Sequence, residues 1–270
     1  MSATLPTPRI APFPSLLSGT ADTPAVLVST SAYGQNLIVT HGQAAVLPWL
    51  AAAGADGVEI RRELLPEGFA DFIGLGQACA AQGLAVIYSA PDGLWEAGGL
   101  TVRLDQRLDE AAALGAIAIK VSLGHYPGGS LVDWAALRDR LNDFPPLLLE
   151  NDQTPEGGTP EHLAECLEDA AAAGCSLGMT FDIGNWHWTD SDPLDAARRL
   201  GPFVRYLHCK GIVHDGGRLG AGVPHDSELS AWKALLAHLP SGLPRAIEYP
   251  LQGQDPVALT AKQLARLRRL

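Results

Sequence analysis

From residue 25 onward, short apolar runs alternate with longer Ala- and Leu-rich stretches of helical periodicity, and the alternation repeats eight times. The runs predict strands near 25–30, 57–62, 84–89, 116–122, 146–151, 177–182, 203–209 and 245–249. The stretches that follow predict helices near 43–53, 68–82, 102–114, 131–142, 161–173, 192–200, 228–239 and 255–269. Glycine stands just past several of these helices, at Gly54, Gly83, Gly115 and Gly174, where a left-handed C-cap needs a residue without Cβ. Parallel strands joined by helical crossovers, with no antiparallel hairpin among them, predict an α/β protein with a single closed (β/α)8 TIM barrel over 25–270. Residues 1–24, rich in proline and small polar residues, read as an irregular lead-in that adds little to the core. A doubly wound open sheet is disfavoured, because Ser29-Thr30-Ser31-Ala32-Tyr33-Gly34 stands where a glycine-rich dinucleotide turn would follow the first strand.

Polar residues interrupt the strands at even spacing and so mark the inward face of the barrel. Glu59 and Arg61 lie on the second strand, Lys120 and Ser122 on the fourth, and Glu150, Asp182, His208, Lys210 and Glu248 at the ends of the last four. Active sites of this fold sit at the C-terminal ends of its strands. Two Glu, one Asp and one His form a hard-to-borderline donor set for a divalent cation. Burying three carboxylates and an imidazole together is very costly unless a cation neutralises them. Glu150, Asp182, His208 and Glu248 are therefore read as one metal site.

The surrounding positions divide between chemistry and structure. Glu59, Arg61 and Lys120 are read either as an interior charge network or as holders of substrate hydroxyls. Lys210 shares the inward face of His208 and either polarises a carbonyl or pairs with Asp182 or Glu248. The Trp186-His187-Trp188 cluster either walls a bound ligand or packs a loop onto the barrel. The glycine-rich stretch 216–222 reads as a mobile cover rather than a phosphate cradle.

Composition narrows the partners. A formal charge of −11 disfavours a nucleic-acid backbone, whose binding rests on Lys and Arg displacing counterions. Hydrophobic residues make up 47% of the 270-residue chain and charged ones 18%, without an apolar run long enough to span a bilayer. The apolar stretch 10–17 is broken by Pro12 and Pro14 and does not read as a signal peptide. Cys79, Cys166, Cys175 and Cys209 lie far apart with no CxxC pair, as expected of reduced thiols in a cytoplasmic protein. Homo-oligomerisation stays open.

The sequences Leu-Leu-Glu150-Asn, Phe-Asp182-Ile-Gly-Asn, Leu-His208-Cys-Lys and Ile-Glu248-Tyr on the last four strands resemble the xylose-isomerase-like TIM-barrel superfamily, in particular its sugar phosphate isomerase/epimerase group. The resemblance implies one divalent ion, Mn, Mg or Co with Zn as a further option, held by Glu150, Asp182, His208 and Glu248. It also implies a small carbohydrate substrate and acid and base roles for Glu150 and Glu248. Two positions depart from the ketose epimerases of that group. Asn185 stands where they carry a His, with His187 as the nearby replacement, and His214 stands where they carry a substrate-binding Arg, with Arg218 slightly further along. The resulting expectation is an isomerase or epimerase working through an enediolate, with Lys210 as a further catalytic candidate. A lyase on the same site is the nearest alternative, and a non-catalytic sugar-binding barrel the bland one.

Overall fold

A computed structural model describes residues 16–17 and 23–270. Its strands are β1 Val26–Ser29, β2 Gly57–Arg61, β3 Ala85–Glu96, β4 Gly99–Leu100, β5 Ala118–Gly124, β6 Leu147–Glu150, β7 Gly178–Asp182, β8 Val204–Cys209, β9 Gly211–Asp215, β10 Arg218–Gly222 and β11 Arg245–Ile247. The helices are α1 Gln35–His41, α2 Leu47–Ala53, α3 Phe72–Ala81, α4 Leu104–Leu114, α5 Trp134–Leu141, α6 Pro160–Ala172, α7 Pro193–Leu200, α8 Asp226–Leu236 and α9 Pro256–Leu267. Eight strands pair in parallel in the order β2-β1-β11-β8-β7-β6-β5-β3, and a further β2–β3 pairing closes the ring. Each of the eight predicted strands is found, because each is a short apolar run bounded by a turn or a helix cap. Asp71, Asp133, Asp192 and Asp255 accept backbone N–H bonds at the starts of α3, α5, α7 and α9.

Side chains alternate along each barrel strand. Outward residues such as Val86, Tyr88, Ile119, Leu149, Met179 and Phe181 pack beneath the helices in the main hydrophobic core. Inward residues Leu27, Ile87, Ala118, Leu148, Tyr206 and Ala246 form a second, smaller cluster that fills the lower half of the barrel. Leu16 is buried in that cluster and Leu17 packs against it. The expected lead-in therefore supplies a core residue, contrary to its composition-based reading: an isolated leucine among prolines carries no periodicity, but a barrel has an open lower end that an apolar side chain can seal. The other residues of 1–22 lie outside the described residues.

Three further differences from the predicted order are local. Helix α1, preceding the first predicted helix, has no amphipathic stripe and is bounded by Gly34 and Gly42. Strand β3 runs well past the barrel and pairs antiparallel with β4 through Trp95 and Glu96. The glycine-rich stretch after β8 lies in an antiparallel hairpin, β9–β10, with Asp215 opposite Arg218. Gly216 and Gly217 form its two-residue turn at φ 53° and 81°, both positive, the backbone of a primed hairpin turn that matches the twist of the strands. The expectation of no antiparallel hairpin thus fails twice, in each case outside the barrel ring. Among the described residues no helix is long and apolar enough to cross a membrane.

Candidate metal centre

The mouth of the barrel gathers the four residues that the strand ends predict. Glu150 ends β6, Asp182 ends β7, His208 lies in β8, and Glu248 follows β11, its N–H donating to Cys209 O and so extending the ladder by one residue. One donor atom from each lies within 4.8 Å of the others. His208 Nδ1 is 2.9 Å from Glu150 Oε1, 3.0 Å from Glu248 Oε2 and 3.7 Å from Asp182 Oδ2. His208 Nδ1, Glu150 Oε1 and Asp182 Oδ2 are all buried without a properly aligned hydrogen bond. Three such atoms converging on one point, where each would ordinarily demand a partner, are the donor arrangement that a divalent cation satisfies.

Backbone contacts aim these donors. Asp182 Oδ1 accepts from the N–H groups of Gly184 (2.8 Å) and Asn185 (3.0 Å), which leaves Oδ2 for the cluster. The buried Asn151 side chain clasps the peptide of Asp182, donating to its carbonyl at 2.9 Å and accepting from its N–H at 2.8 Å. Asn185 donates in turn to Asn151 O at 2.7 Å. Asn185 is thus a clasp under Asp182, its side chain turned to Asn151 O and not toward the open mouth. Asn151 was not singled out from the sequence, although its place directly after Glu150 was a usable signal. Gly184 must lack a side chain, since a Cβ there would lie 2.7 Å from Lys210 Cγ.

A tier of cations surrounds the donors. Lys120 Nζ is 2.7 Å from Glu150 Oε2 and 3.2 Å from Glu59 Oε1. Arg61 Nη1 is 2.5 Å from Glu248 Oε1 and 3.4 Å from Glu59 Oε1. Lys210 Nζ is 2.8 Å from both Asp182 Oδ2 and Glu248 Oε2, but is aligned to donate only to the latter. Glu59 and Lys120 are fully buried beneath the donors. Their place as substrate holders is therefore replaced by the charge-network alternative, because no face of either reaches the open mouth.

Burial pushes each carboxyl pKa up, and the neighbouring cations decide how far this is reversed. Burial raises Glu248, but Lys210, His208 and Arg61 hold it well below the usual range. Glu150 is raised by burial and brought below its usual value by Lys120 and His208. Glu59, despite burial, is held at about 2 by His208, Lys120 and Arg61. Asp182 differs: burial, with Glu248 and Glu150 nearby, outweighs Lys210 and pushes it up to about 6. Burial alone would depress His208, but Glu59, Glu248 and Glu150 push it well above its usual value. Four carboxylates face three permanent cations here, so the cluster carries a surplus negative charge that draws a positive charge to the imidazole edge.

The remaining predicted residues stand apart. Trp186 is fully buried with its ring 5.2 Å from that of Phe181, so it packs its loop onto the barrel and offers no wall to a ligand. His187 is exposed on the short helical turn after β7. His214 and Arg218 are exposed on the β9–β10 hairpin, and neither side chain makes a hydrogen bond or ion pair with the described residues. The hairpin is tied at its base, where Ile212 N–H donates to Glu228 Oε1 at 3.0 Å.

Among solved structures, the chain is similar to a xylose isomerase domain protein from Planctomyces limnophilus, at 20% identity over 91% of this chain and 95% of that one, with a TM-score of 0.63. The chain has the xylose isomerase-like TIM-barrel fold. Similar in the same way are a D-allulose 3-epimerase from Methylomonas sp. in complex with D-allulose (15% identity, 93% and 98% coverage, TM-score 0.66) and a probable 3-DHS dehydratase, AsbF, from Bacillus anthracis (13% identity, 90% and 98% coverage, TM-score 0.60). No protein-family model and no curated protein matches the sequence. Structures of this xylose isomerase-like fold thus include both an epimerase and a dehydratase, and the fold by itself does not choose between them.

Proposed function

We propose that this protein is a divalent-metal-dependent isomerase or epimerase of a small sugar or keto-polyol, moving a proton on the carbon beside a carbonyl. The convergence of Glu150, Asp182, His208 and Glu248, with three of their buried donor atoms lacking aligned partners, carries the proposal. Mn, Mg or Co suits this oxygen-rich set, and Zn is compatible with it. When bound, such an ion draws electron density from the substrate's carbonyl and hydroxyl oxygens and stabilises an enediolate.

The chain's own residues supply the rest. Glu150 and Glu248 each turn one oxygen to the centre and the other to a cation, Lys120 and Arg61 respectively. Each carboxylate is thereby held in place while keeping an oxygen near the point where a substrate carbon would lie. Glu150 is half-buried at the mouth and bound by one lysine, whereas Glu248 is gripped by both Arg61 and Lys210. Glu150 is accordingly the better placed to accept the proton, and Glu248 to return it.

The test is exchange of the substrate's α-proton with solvent deuterium across a panel of ketoses and inososes. Glu150→Gln keeps an oxygen but cannot take a proton, so exchange should fall by about 10²–10⁴-fold while metal binding weakens less. Full activity in both Glu150→Gln and Glu248→Gln would remove the proposal. A lyase reading is favoured by one observation, the Lys210 ammonium beside Asp182 and Glu248, where it can stabilise an enolate oxygen during dehydration. Loss of exchange in Lys210→Met with retention in Glu150→Gln would select it.

A further inference from the structure

Glu59 is not among the four donors, yet it touches His208 and both of the cations that hold Glu150 and Glu248. Its Oε2 lies 2.6 Å from His208 Nε2, and both side chains have no exposure at all. Its Oε1 meets Lys120 at 3.2 Å and Arg61 at 3.4 Å, the two cations that hold the outer oxygens of Glu150 and Glu248. One buried carboxylate thus underlies the imidazole and both proton-transfer candidates.

We infer that Glu59 is a positioning residue that accepts the Nε2–H of His208 and so presents the Nδ1 lone pair to a divalent ion. This rests on the metal-dependent reading above. The imidazole has two nitrogens, and only an unprotonated one can be a ligand. Nδ1 faces the oxygens of Glu150, Glu248 and Asp182 without an aligned hydrogen bond, while Nε2 is within bonding distance of a carboxylate that is itself paired with Lys120 and Arg61. A proton on Nδ1 would leave the lone pair of Nε2 pointing at a carboxylate, which is repulsive. Carboxylates in this position fix the ring's tautomer and orientation and raise its basicity, and losing one costs about 10–100-fold in metal affinity. Glu59 enters through β2, on the far side of the barrel from the strands that carry the donors, so a short strand with no donor of its own sets the chemistry of β8.

The deciding measurement is a ¹⁵N–¹H spectrum of histidine-labelled protein loaded with Zn²⁺, together with a calorimetric titration with Mn²⁺. In the wild type, His208 should show a protonated Nε2 whose proton is far downfield and slow to exchange. In Glu59→Gln the proton should move upfield and exchange faster, and the Mn²⁺ dissociation constant should rise about 10–100-fold. A wild-type spectrum with the proton on Nδ1 overturns the inference while leaving the metal site standing, and it needs no variant to fold. An unchanged Mn²⁺ affinity and an unchanged His208 proton in a folded Glu59→Gln overturn it as well. Failure of the wild type to bind either ion removes both this inference and the reading it rests on.

Discussion

The lower and upper halves of the barrel interior are built on opposite principles. Below, Leu16, Leu27, Ile87, Ala118, Leu148 and Ala246 exclude water, with Tyr206 packed among them. Above, within two residues along the same strands, Glu59, Lys120, Glu150, Asp182, His208 and Glu248 crowd into one set of ion pairs. The apolar half is held by burial, which needs neither ion nor substrate. The charged half holds the residues proposed to bind an ion and a substrate, and ion pairs so buried are a weak source of net stability. Apolar packing is thus concentrated at one end of the barrel interior and charge at the other.

Removing apolar bulk from the lower half should give the largest stability effect. Leu148→Ala leaves a cavity in a closed ring and should cost about 3–5 kcal/mol in urea unfolding, with little change in Mn²⁺ affinity per folded molecule. A comparable loss of metal affinity would show that the halves are not separate. Next in size is the effect of the ion itself. Mn²⁺ at about 100 times its dissociation constant should stabilise the wild type by about 2.7 kcal/mol, seen as a rise in thermal midpoint. The same increment should appear in Leu148→Ala and vanish in Asp182→Ala; a rise retained in Asp182→Ala would place the ion elsewhere. Leu16→Ala should cost about 2 kcal/mol, since it removes the side chain that seals the lower opening. No measurable loss on that substitution would return the segment to the status of an idle lead-in.

The smallest effect is a pH dependence confined to the upper half. Asp182 in the metal-free protein titrates near 6, above an unfolded aspartate, so its ionisation opposes folding. Metal-free wild type should therefore gain stability relative to Asp182→Asn as the pH falls through about 6 toward the unfolded range. Glu59, depressed to about 2, works in the other sense: its stabilising contribution is complete above the unfolded carboxylate value and is lost as the pH falls toward 2. Urea midpoints of metal-free wild type against Asp182→Asn and against Glu59→Gln across this range measure the two signs separately. A difference that does not vary with pH would show that Asp182 is not the group titrating near 6.

Much of this architecture was legible along the chain. Short apolar runs, each ended by a turn or cap, specify strands through local pattern alone, and eight of them alternating with helices leave a closed barrel as the economical arrangement. The four donors were legible for a related reason: a carboxylate or imidazole at the end of an apolar strand is a local oddity that needs no partner to be noticed. The β9–β10 hairpin was missed because its strands, Gly-Ile-Val-His-Asp and Arg-Leu-Gly-Ala-Gly, carry glycines that read as loop. Leu16 was missed because a single side chain sealing a barrel has no period.

What the sequence by itself determined, then, is which residue types stand at the tips of which strands, since alternation and strand ends are properties of neighbours in the chain. Their pairing was decided only by the tertiary structure. Glu59 and His208 are 149 residues apart, and nothing local to either says that one carboxylate faces the other's Nε2. The same holds for Lys120 on Glu150, Arg61 on Glu248 and Asn151 around the peptide of Asp182. Barrel closure and register bring these groups together, and in a buried, low-dielectric mouth that proximity sets which groups stay charged.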